Sequence, residues 1–193
     1  MSRSRRLVLG LVVAALGLVA VGWLVAAGPD SGTRTPPRTI SHRAPSDAIA
    51  LVGCSDGAAA ATGRSRGDVA MGPIVLVGAR ATEGHHPDAF GGHGYKVPTT
   101  LPDGVTATLA VPEALRSRVG LVFSAATQRR VLADGPSAAD RAVRFAACPA
   151  GGEGGRTGWA GGVVVDPPRC ATLVVTVGRR APLRRRVPLG RRC

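Results

Sequence analysis

Aromatic residues and lysine are scarce in this chain. Only 3% of its 193 residues are aromatic, and Lys96 is the single lysine beside 24 arginines. With so few rings, the core has to be built from Val, Leu and Ala, which each bury less apolar area than Phe or Trp, at about 25 cal/mol per Å². Basic residues are not interleaved with aromatic ones, so the sequence offers no pattern for stacking nucleic-acid bases. We therefore expect an aliphatic core with covalent reinforcement and no nucleic-acid partner.

Motifs for catalysis are missing as well. The chain has no G-x-S-x-G nucleophile elbow, and Ser124 follows Phe123 without glycine neighbours. The glycine-rich stretch Gly151–Gly158 lacks the lysine and the Ser or Thr of a phosphate-binding loop, so a flexible connection between strands explains it better. Cysteine nucleophiles are disfavoured where cysteines oxidise to disulfides. We expect a protein that is not an enzyme and holds no cofactor.

One long uncharged run, Leu7–Ala27, stands out against this background. As a helix its twenty-one residues rise about 31 Å, which matches a hydrocarbon core of about 30 Å. Trp23 suits the outer interface, and Arg3, Arg5 and Arg6 favour an N-terminus kept in the cytoplasm. The run predicts a single-pass transmembrane helix in the cell membrane with an extracytoplasmic C-terminal domain.

A cleaved signal peptide is the alternative for the same run. Val25–Ala27 would serve as a small-residue cleavage site, giving a secreted form after cleavage near Ala27. Arg5 and Arg6 resemble a twin-arginine signal, which exports folded domains. Leu51–Cys54 resembles a lipobox, but it lies too far behind the apolar run, and a strand ending in a disulfide cysteine is preferred. Each of these routes exports the remainder of the chain.

Residues 28–47 have the composition of a linker, with four prolines among Ser, Thr and Arg. The predicted organisation is a basic cytoplasmic segment 1–6, the span 7–27, this linker, and an exported domain 48–193 large enough for one modest core. After residue 47, 19 basic and 10 acidic side chains leave a balance of +9. The polyanions outside the cytoplasm are wall polymers, anionic lipid headgroups and acidic exported proteins, which are the expected partners.

Short apolar runs separated by Gly and Pro follow in the exported part. They predict an all-β fold, an antiparallel Ig-like β-sandwich. Ser55–Gly72 is expected to be a long mobile loop, and Pro112–Leu115 a helical turn at most. The predicted strands are Ile74–Val77, Val105–Val111, Val119–Phe123, Val143–Ala147, Gly162–Val165, Ala171–Val177 and Arg184–Leu189.

Four cysteines in an oxidising compartment predict two disulfides before they predict a metal site. If the last four strands form a meander, Cys170 and Cys193 meet at the open end of a hairpin, which leaves Cys54 for Cys148. Greek-key connections would instead favour Cys148–Cys170 with Cys54–Cys193. The sequence favours the first pairing and leaves the second open.

Possible metal ligands are densest between residues 83 and 93. Glu83, His85, His86, Asp88 and His93 could serve zinc or copper, although their spacing matches no recognised metal motif. A polar, glycine-rich loop is the preferred interpretation. A metal-binding protein or a metal-dependent hydrolase of the cell envelope is the alternative function.

The last fifteen residues contain seven arginines and no acid. Guanidinium groups pair bidentately with phosphate, so the arginines are a candidate anion-binding patch, with a solvated hairpin as the alternative. Strand alternation places two of them, at 184 and 186, on one face and the third, at 185, on the other, which predicts an edge strand guarded by charge. The candidate residues are Arg179, Arg180, Arg184, Arg185, Arg186, Arg191 and Arg192.

The C-terminal half carries a family-like pattern. It consists of Phe145-x-x-Cys148, Gly158-Trp159-x-Gly161-Gly162-Val163, Pro168-x-Cys170 and Leu189-Gly190-x-x-Cys193. The pattern resembles a group of small uncharacterised exported or membrane-anchored actinobacterial proteins and covers about the last 50 residues. The resemblance implies an exported β-rich domain and brings no activity. On physical grounds Trp159 is expected to be a core ring beside a disulfide.

These observations converge on one functional expectation. We expect a non-catalytic, membrane-anchored extracytoplasmic domain that binds an envelope polyanion or another exported protein.

Overall fold

A computed structural model describes residues 48–60, 65–150 and 155–193 of the chain. Segments 1–6, 7–27 and 28–47, which carry the predicted N-terminus, span and linker, lie outside the described residues. Across the three described stretches, no helix is both long and apolar enough to span a membrane.

The described residues form thirteen strands and one α-helix, which confirms the expected all-β class. Short 3₁₀ turns at Cys54–Asp56, Ala79–Thr82, Glu113–Leu115 and Pro136–Ala138 join them. In chain order the elements are β1 (Ala50–Val52), β2 (Ala58–Ala59), β3 (Val69–Met71), β4 (Ile74–Leu76), β5 (Gly94–Lys96), β6 (Thr99–Pro102), β7 (Thr106–Ala110), β8 (Val119–Val122), α1 (Ala125–Asp134), β9 (Ala142–Ala146), β10 (Arg156–Trp159), β11 (Gly162–Val165), β12 (Arg169–Thr176) and β13 (Leu183–Leu189).

The strands assemble into three sheets. Sheet A has the order β1-β9-β7-β12-β13, sheet B the order β2-β10-β6-β4-β3, and sheet C the order β5-β11-β8. Every pair is antiparallel except β1–β9, which is parallel. The predicted meander of the last four strands is therefore wrong, because β10 and β11 lie in the other two sheets and β7 separates β9 from β12.

A main-chain hydrogen bond links sheets B and C where their strands follow one another in the chain. Strand β5 pairs with β11 and β6 pairs with β10, and between the two ladders the Val97 N–H donates to the Gly161 carbonyl over 3.0 Å. Pro98 then interrupts the ladder because it has no N–H to donate. Gly162 is required in this pair, since a Cβ there would collide with the Tyr95 carbonyl. The two sheets thus continue one another.

One core joins all three sheets. Its buried members are mostly Val, Leu and Ala, as expected from the composition. The few rings cluster: the centroids of Phe123 and Phe145 lie 5.0 Å apart in an edge-to-face arrangement, and those of Phe145 and Trp159 lie 5.1 Å apart. Trp159 is buried, and its indole N–H bonds to Gly53, the residue before Cys54. It is thus a core ring beside a disulfide, as predicted.

Both disulfides are present, as Cys54–Cys148 and Cys170–Cys193. The favoured pairing is thus the observed one, although the meander from which it was argued is wrong. The β12–β13 hairpin alone brings Cys170 and Cys193 together, because Cys170 pairs with Pro188 and the chain reaches Cys193 just beyond β13.

Two other expectations need correction. Ser55–Gly72, expected to be a mobile loop, contains both β2 and β3. These strands have two and three residues, which is too short for alternation to show. Helix α1 was not predicted, because only Thr127 and Val131 of its ten residues are buried, and two buried positions give no apolar period. The expected helical turn is confirmed as a 3₁₀ turn at Glu113–Leu115.

Candidate anion-binding surface

Strand β13 is the edge strand of sheet A, which confirms the edge predicted from its arginines. It pairs with β12 from Arg169 opposite Leu189 to Val175 opposite Leu183. Arg184, Arg185 and Arg186 are all exposed, whereas the strand is buried from Val187 onward. The arginines therefore occupy the half of this edge strand whose side chains are exposed.

The register assigns each arginine to a face. Arg185 lies opposite Leu173, which is fully buried, so Arg185 points to the core side of the sheet. Arg184 and Arg186 lie opposite Val174 and Thr172, which are only partly buried, so they point outward. Opposed residues in a ladder share a face, which makes this assignment independent of side-chain rotamers.

The outer edge of β13 is covered only in part. At its C-terminal end the Thr82 hydroxyl lies 2.9 Å from the Pro188 carbonyl oxygen and accepts a hydrogen bond from Gly190 N–H at 3.2 Å. Both main-chain groups of a residue point to the same side of an antiparallel strand, and the side alternates along the chain. Arg184 and Arg186 therefore direct their N–H and C=O groups away from β12, to the side on which the Pro188 carbonyl lies.

Four arginines line one groove beside this edge. Arg80, from the Ala79–Thr82 turn, joins Arg184, Arg185 and Arg186 around a volume of about 360 Å³. The ion pairs among the described residues join Arg130 to Asp140 and Arg192 to Glu83, and neither includes residues 184–186. The three β13 guanidiniums thus lack a carboxylate partner in the described part of the chain. We call the groove lined by these four arginines the arginine groove.

The outward side of sheet A extends the positive charge. Arg144 on β9 pairs with Thr108 on β7 and with Leu51 on β1, and its Nε lies 3.5 Å from the Thr108 hydroxyl. No Asp or Glu occurs at the outward positions of this sheet. We call these positions the outer face: Leu51, Thr106, Thr108, Ala110, Ala142, Arg144, Ala146, Cys170, Thr172, Val174, Thr176, Arg184, Arg186 and Pro188.

The other predicted arginines lie elsewhere. Arg179 and Arg180 are exposed in the turn between β12 and β13. Arg191 and Arg192 follow β13, and the Nε of Arg192 lies 3.5 Å from Glu83 Oε2. Of the seven candidates, the three on β13 thus line the groove, and the other four lie in the turn and after the strand. The structure adds Arg80 to the groove and Arg144 to the outer face, and neither was predicted.

The histidines predicted as weak metal ligands are all exposed. His85 and His86 line a shallow depression with Asp88, Tyr95 and Lys96, and His93 is not part of that lining. No three His, Cys, Asp or Glu side chains come together as a metal site in the described ranges. The loop is instead tied down by its main chain, because the Tyr95 hydroxyl donates to the His85 carbonyl over 2.7 Å.

Ser124, which lacks the glycine flanks of a nucleophile elbow, has a structural position. Its hydroxyl oxygen accepts a hydrogen bond from the Thr127 N–H over 3.1 Å and caps helix α1. Thr127 and Arg130 in turn bond to the buried carboxylate of Asp140, at 2.6 and 2.7 Å. This polar network holds α1 against the segment that leads into β9.

Nothing among protein-family models, curated proteins or solved structures matches this chain. The resemblance to exported actinobacterial proteins stays a prediction.

Proposed function

We propose that residues 48–193 form a non-catalytic binding domain that works outside the cytoplasm, held to the cell membrane by a single-pass helix at 7–27, and that it binds an anionic partner. The partner is a wall polymer, a lipid headgroup or an acidic segment of another exported protein. The arginine groove, in which three guanidiniums of β13 have no carboxylate partner among the described residues, carries the proposal.

The two disulfides support the location. Disulfides persist in oxidising compartments and are rare in the cytosol. Closing loops with sequence separations of 94 and 23 residues also compensates for a core poor in aromatic side chains. Both facts agree with an exported domain.

The groove chemistry supports the class of partner. Guanidinium groups present planar pairs of donors that match phosphate and carboxylate oxygens. The main-chain groups of Arg184 and Arg186 that point away from β12 add N–H donors at the same edge. A surface of this kind recognises charge and oxygen geometry.

A sandwich interpretation of the fold is part of the proposal. The inner side of sheet A and the linked sheets B and C contribute to the same core, which is consistent with two layers. The term Ig-like refers here to this two-layer arrangement. The β1–β9 pair differs from an antiparallel sandwich because its two strands are parallel.

Binding of inorganic polyphosphate to the full chain tests the proposal. In the variant R184Q/R185Q/R186Q we expect an affinity at least about tenfold lower, together with a weaker salt dependence, because three charge-assisted contacts are lost. The matched control is R66Q/R118Q/R129Q, which removes the same charge from exposed arginines outside the groove. An equal loss of affinity in the two variants would mean that only net charge matters, and it would overturn the proposal. A lack of polyphosphate binding by the unmodified chain would overturn it as well.

A further inference from the structure

Exposed apolar side chains lie at one corner of the outer face. Leu51 is 74% exposed on the edge strand β1, and Ile49, two positions earlier, is 43% exposed. In register, Leu51 lies directly beside Arg144 on β9. An exposed leucine next to an unburied arginine is a combination that a soluble anionic polymer does not require.

Small and β-branched side chains fill most of the rest of the outer face. Between Arg144 on β9 and Arg184 on β13, the outward positions of β7 and β12 hold Thr, Ala and Val. Three strand spacings of about 4.8 Å and a register offset of two residues separate these arginines, so their backbone positions are about 16 Å apart.

A lipid surface matches this arrangement better than the other anionic partners. An anionic bilayer is flat, carries its charge in a plane, and has an apolar layer directly below the headgroups. Arginines would meet the phosphates while Leu51 enters the boundary beneath them. A wall polymer would engage the arginines and leave the apolar corner in water.

The position of this corner in the chain favours the same partner. The described residues begin at residue 48, immediately before Ile49, and the predicted span ends at Ala27. Residues 28–47, the predicted linker, separate the span from this corner. Along the chain, this corner is therefore the first part of the described domain to follow the predicted span.

We infer that the outer face of sheet A docks on the anionic headgroups of the membrane that holds the chain. Leu51 inserts at the boundary below the headgroups, and Arg144, Arg184 and Arg186 pair with lipid phosphates. This inference rests on the proposed extracytoplasmic, anion-binding function and assigns the outer face to the lipid. Arg185, which points to the core side of sheet A, and Arg80 are not assigned to the lipid and remain in the arginine groove.

Side-chain footprinting of the full chain in nanodiscs tests the inference. One sample contains phosphatidylglycerol, a second contains only phosphatidylcholine, and a third is the second with added inorganic polyphosphate. Hydroxyl-radical oxidation reports on Leu51, with Leu132, 56% exposed on α1, as the control within the same molecule. A dicarbonyl reagent reports on Arg144, Arg184 and Arg186, with Arg129 as the control.

On phosphatidylglycerol we expect Leu51 oxidation and Arg144 modification to fall at least about threefold, with no change at Leu132 or Arg129. In the variant L51S/R144Q, Arg184 and Arg186 should regain the reactivity that they have on phosphatidylcholine, whereas L132S/R129Q should leave their protection intact. Equal reactivity of Leu51 and Arg144 on the two lipids would overturn the inference. If the inference failed in this way, protection of Arg184–Arg186 by polyphosphate in the third sample would still support the proposed anion-binding function. If polyphosphate gave no protection either, the proposed function would be overturned together with the inference.

Discussion

The indole N–H of Trp159 donates a hydrogen bond to the main-chain carbonyl of Gly53 over 2.8 Å, which joins two segments 106 positions apart. Cys54 follows Gly53 and is bonded to Cys148, and Phe145 packs against the Trp159 ring. A buried ring, a hydrogen bond and a disulfide thus meet at one junction. That junction fastens the start of the described domain to β9 and β10.

Replacing this ring should destabilise the domain. Trp159→Phe keeps most of the apolar surface, but it leaves the Gly53 carbonyl without its donor and creates a small void, so we expect the free energy of unfolding to fall by about 2–3 kcal/mol. Urea denaturation followed by circular dichroism measures the change. Gly57→Ala should act in the same direction, because its Cβ would lie 3.0 Å from the indole nitrogen. A loss below about 0.5 kcal/mol in Trp159→Phe would refute the role of the junction.

The two disulfides should stabilise the domain by different amounts. In the chain-entropy model the sequence separation of 94 residues gives about 4.7 kcal/mol and that of 23 residues about 3.5 kcal/mol. C54S/C148S should therefore lower the free energy of unfolding by about 1 kcal/mol more than C170S/C193S. Urea denaturation of the two variants tests the order, and peptide mapping without reductant tests the pairing. Recovery of a Cys148–Cys170 peptide would disprove the connectivity.

Tyr95 should make the stability depend on alkaline pH. Burial raises the pKa of its phenol above the ordinary value of 10.0, and the nearby carboxylate of Asp88 adds to this. The folded state then holds the proton more tightly than the unfolded one, so this contribution is complete below about pH 10 and is lost as the pH rises through the raised pKa. Because Tyr95 is the single tyrosine, phenolate absorbance follows it alone. A midpoint at or below 10 would contradict the prediction.

The conservative variant at this position separates the two contributions of the hydroxyl. Tyr95→Phe removes the donor to the His85 carbonyl and should cost about 1 kcal/mol at neutral pH. It should also flatten the loss of stability above pH 10, since no phenol remains to ionise. Thermal unfolding at neutral and alkaline pH measures both effects.

Ser124 should matter for stability through the helix that it caps. Ser124→Ala removes the acceptor for the Thr127 N–H, and we expect it to destabilise the domain by about 1 kcal/mol. Ser124→Asp, which keeps an acceptor and adds a negative charge at the helix N-terminus, should retain most of that stability. Denaturant midpoints of the two variants decide the question. If Ser124→Asp were as unstable as Ser124→Ala, the capping explanation would fail.

Local pattern was enough to predict the longer strands. Gly162–Val165 matches its predicted bounds, and the hairpin of β12 and β13 was visible from alternation and from the position of Cys170 and Cys193. Strands β2, β3 and β5 escaped because two or three residues carry no period, although β4, equally short, was predicted from its continuous apolar run. Strands β6 and β10 escaped because polar residues, Pro and Gly interrupt their apolar pattern. The parallel pairing of β1 with β9 escaped for another reason: it joins residues more than 90 positions apart, and nothing near Ala50 indicates that partner.

The candidate surface divides in the same way. Arg184, Arg185 and Arg186 were visible because they are consecutive and lie on a predicted strand. Arg144 and Arg80 were not, because strand order places β9 three strands from β13, and a 3₁₀ turn brings Arg80 to the edge. A surface assembled from distant segments has no signature in a single stretch of sequence.

The disulfide after β1 also determines how the domain responds to tension. A pull on the chain ahead of residue 48 first reaches β1, a three-residue edge strand with one neighbour. Two residues past its end, Cys54 passes the force through a covalent bond to Cys148, which follows β9. Strand β9 is held on both sides, by β1 and by β7. Peeling therefore stops at residue 54, and mechanical load is transferred from the weakest edge of the sheet to its interior.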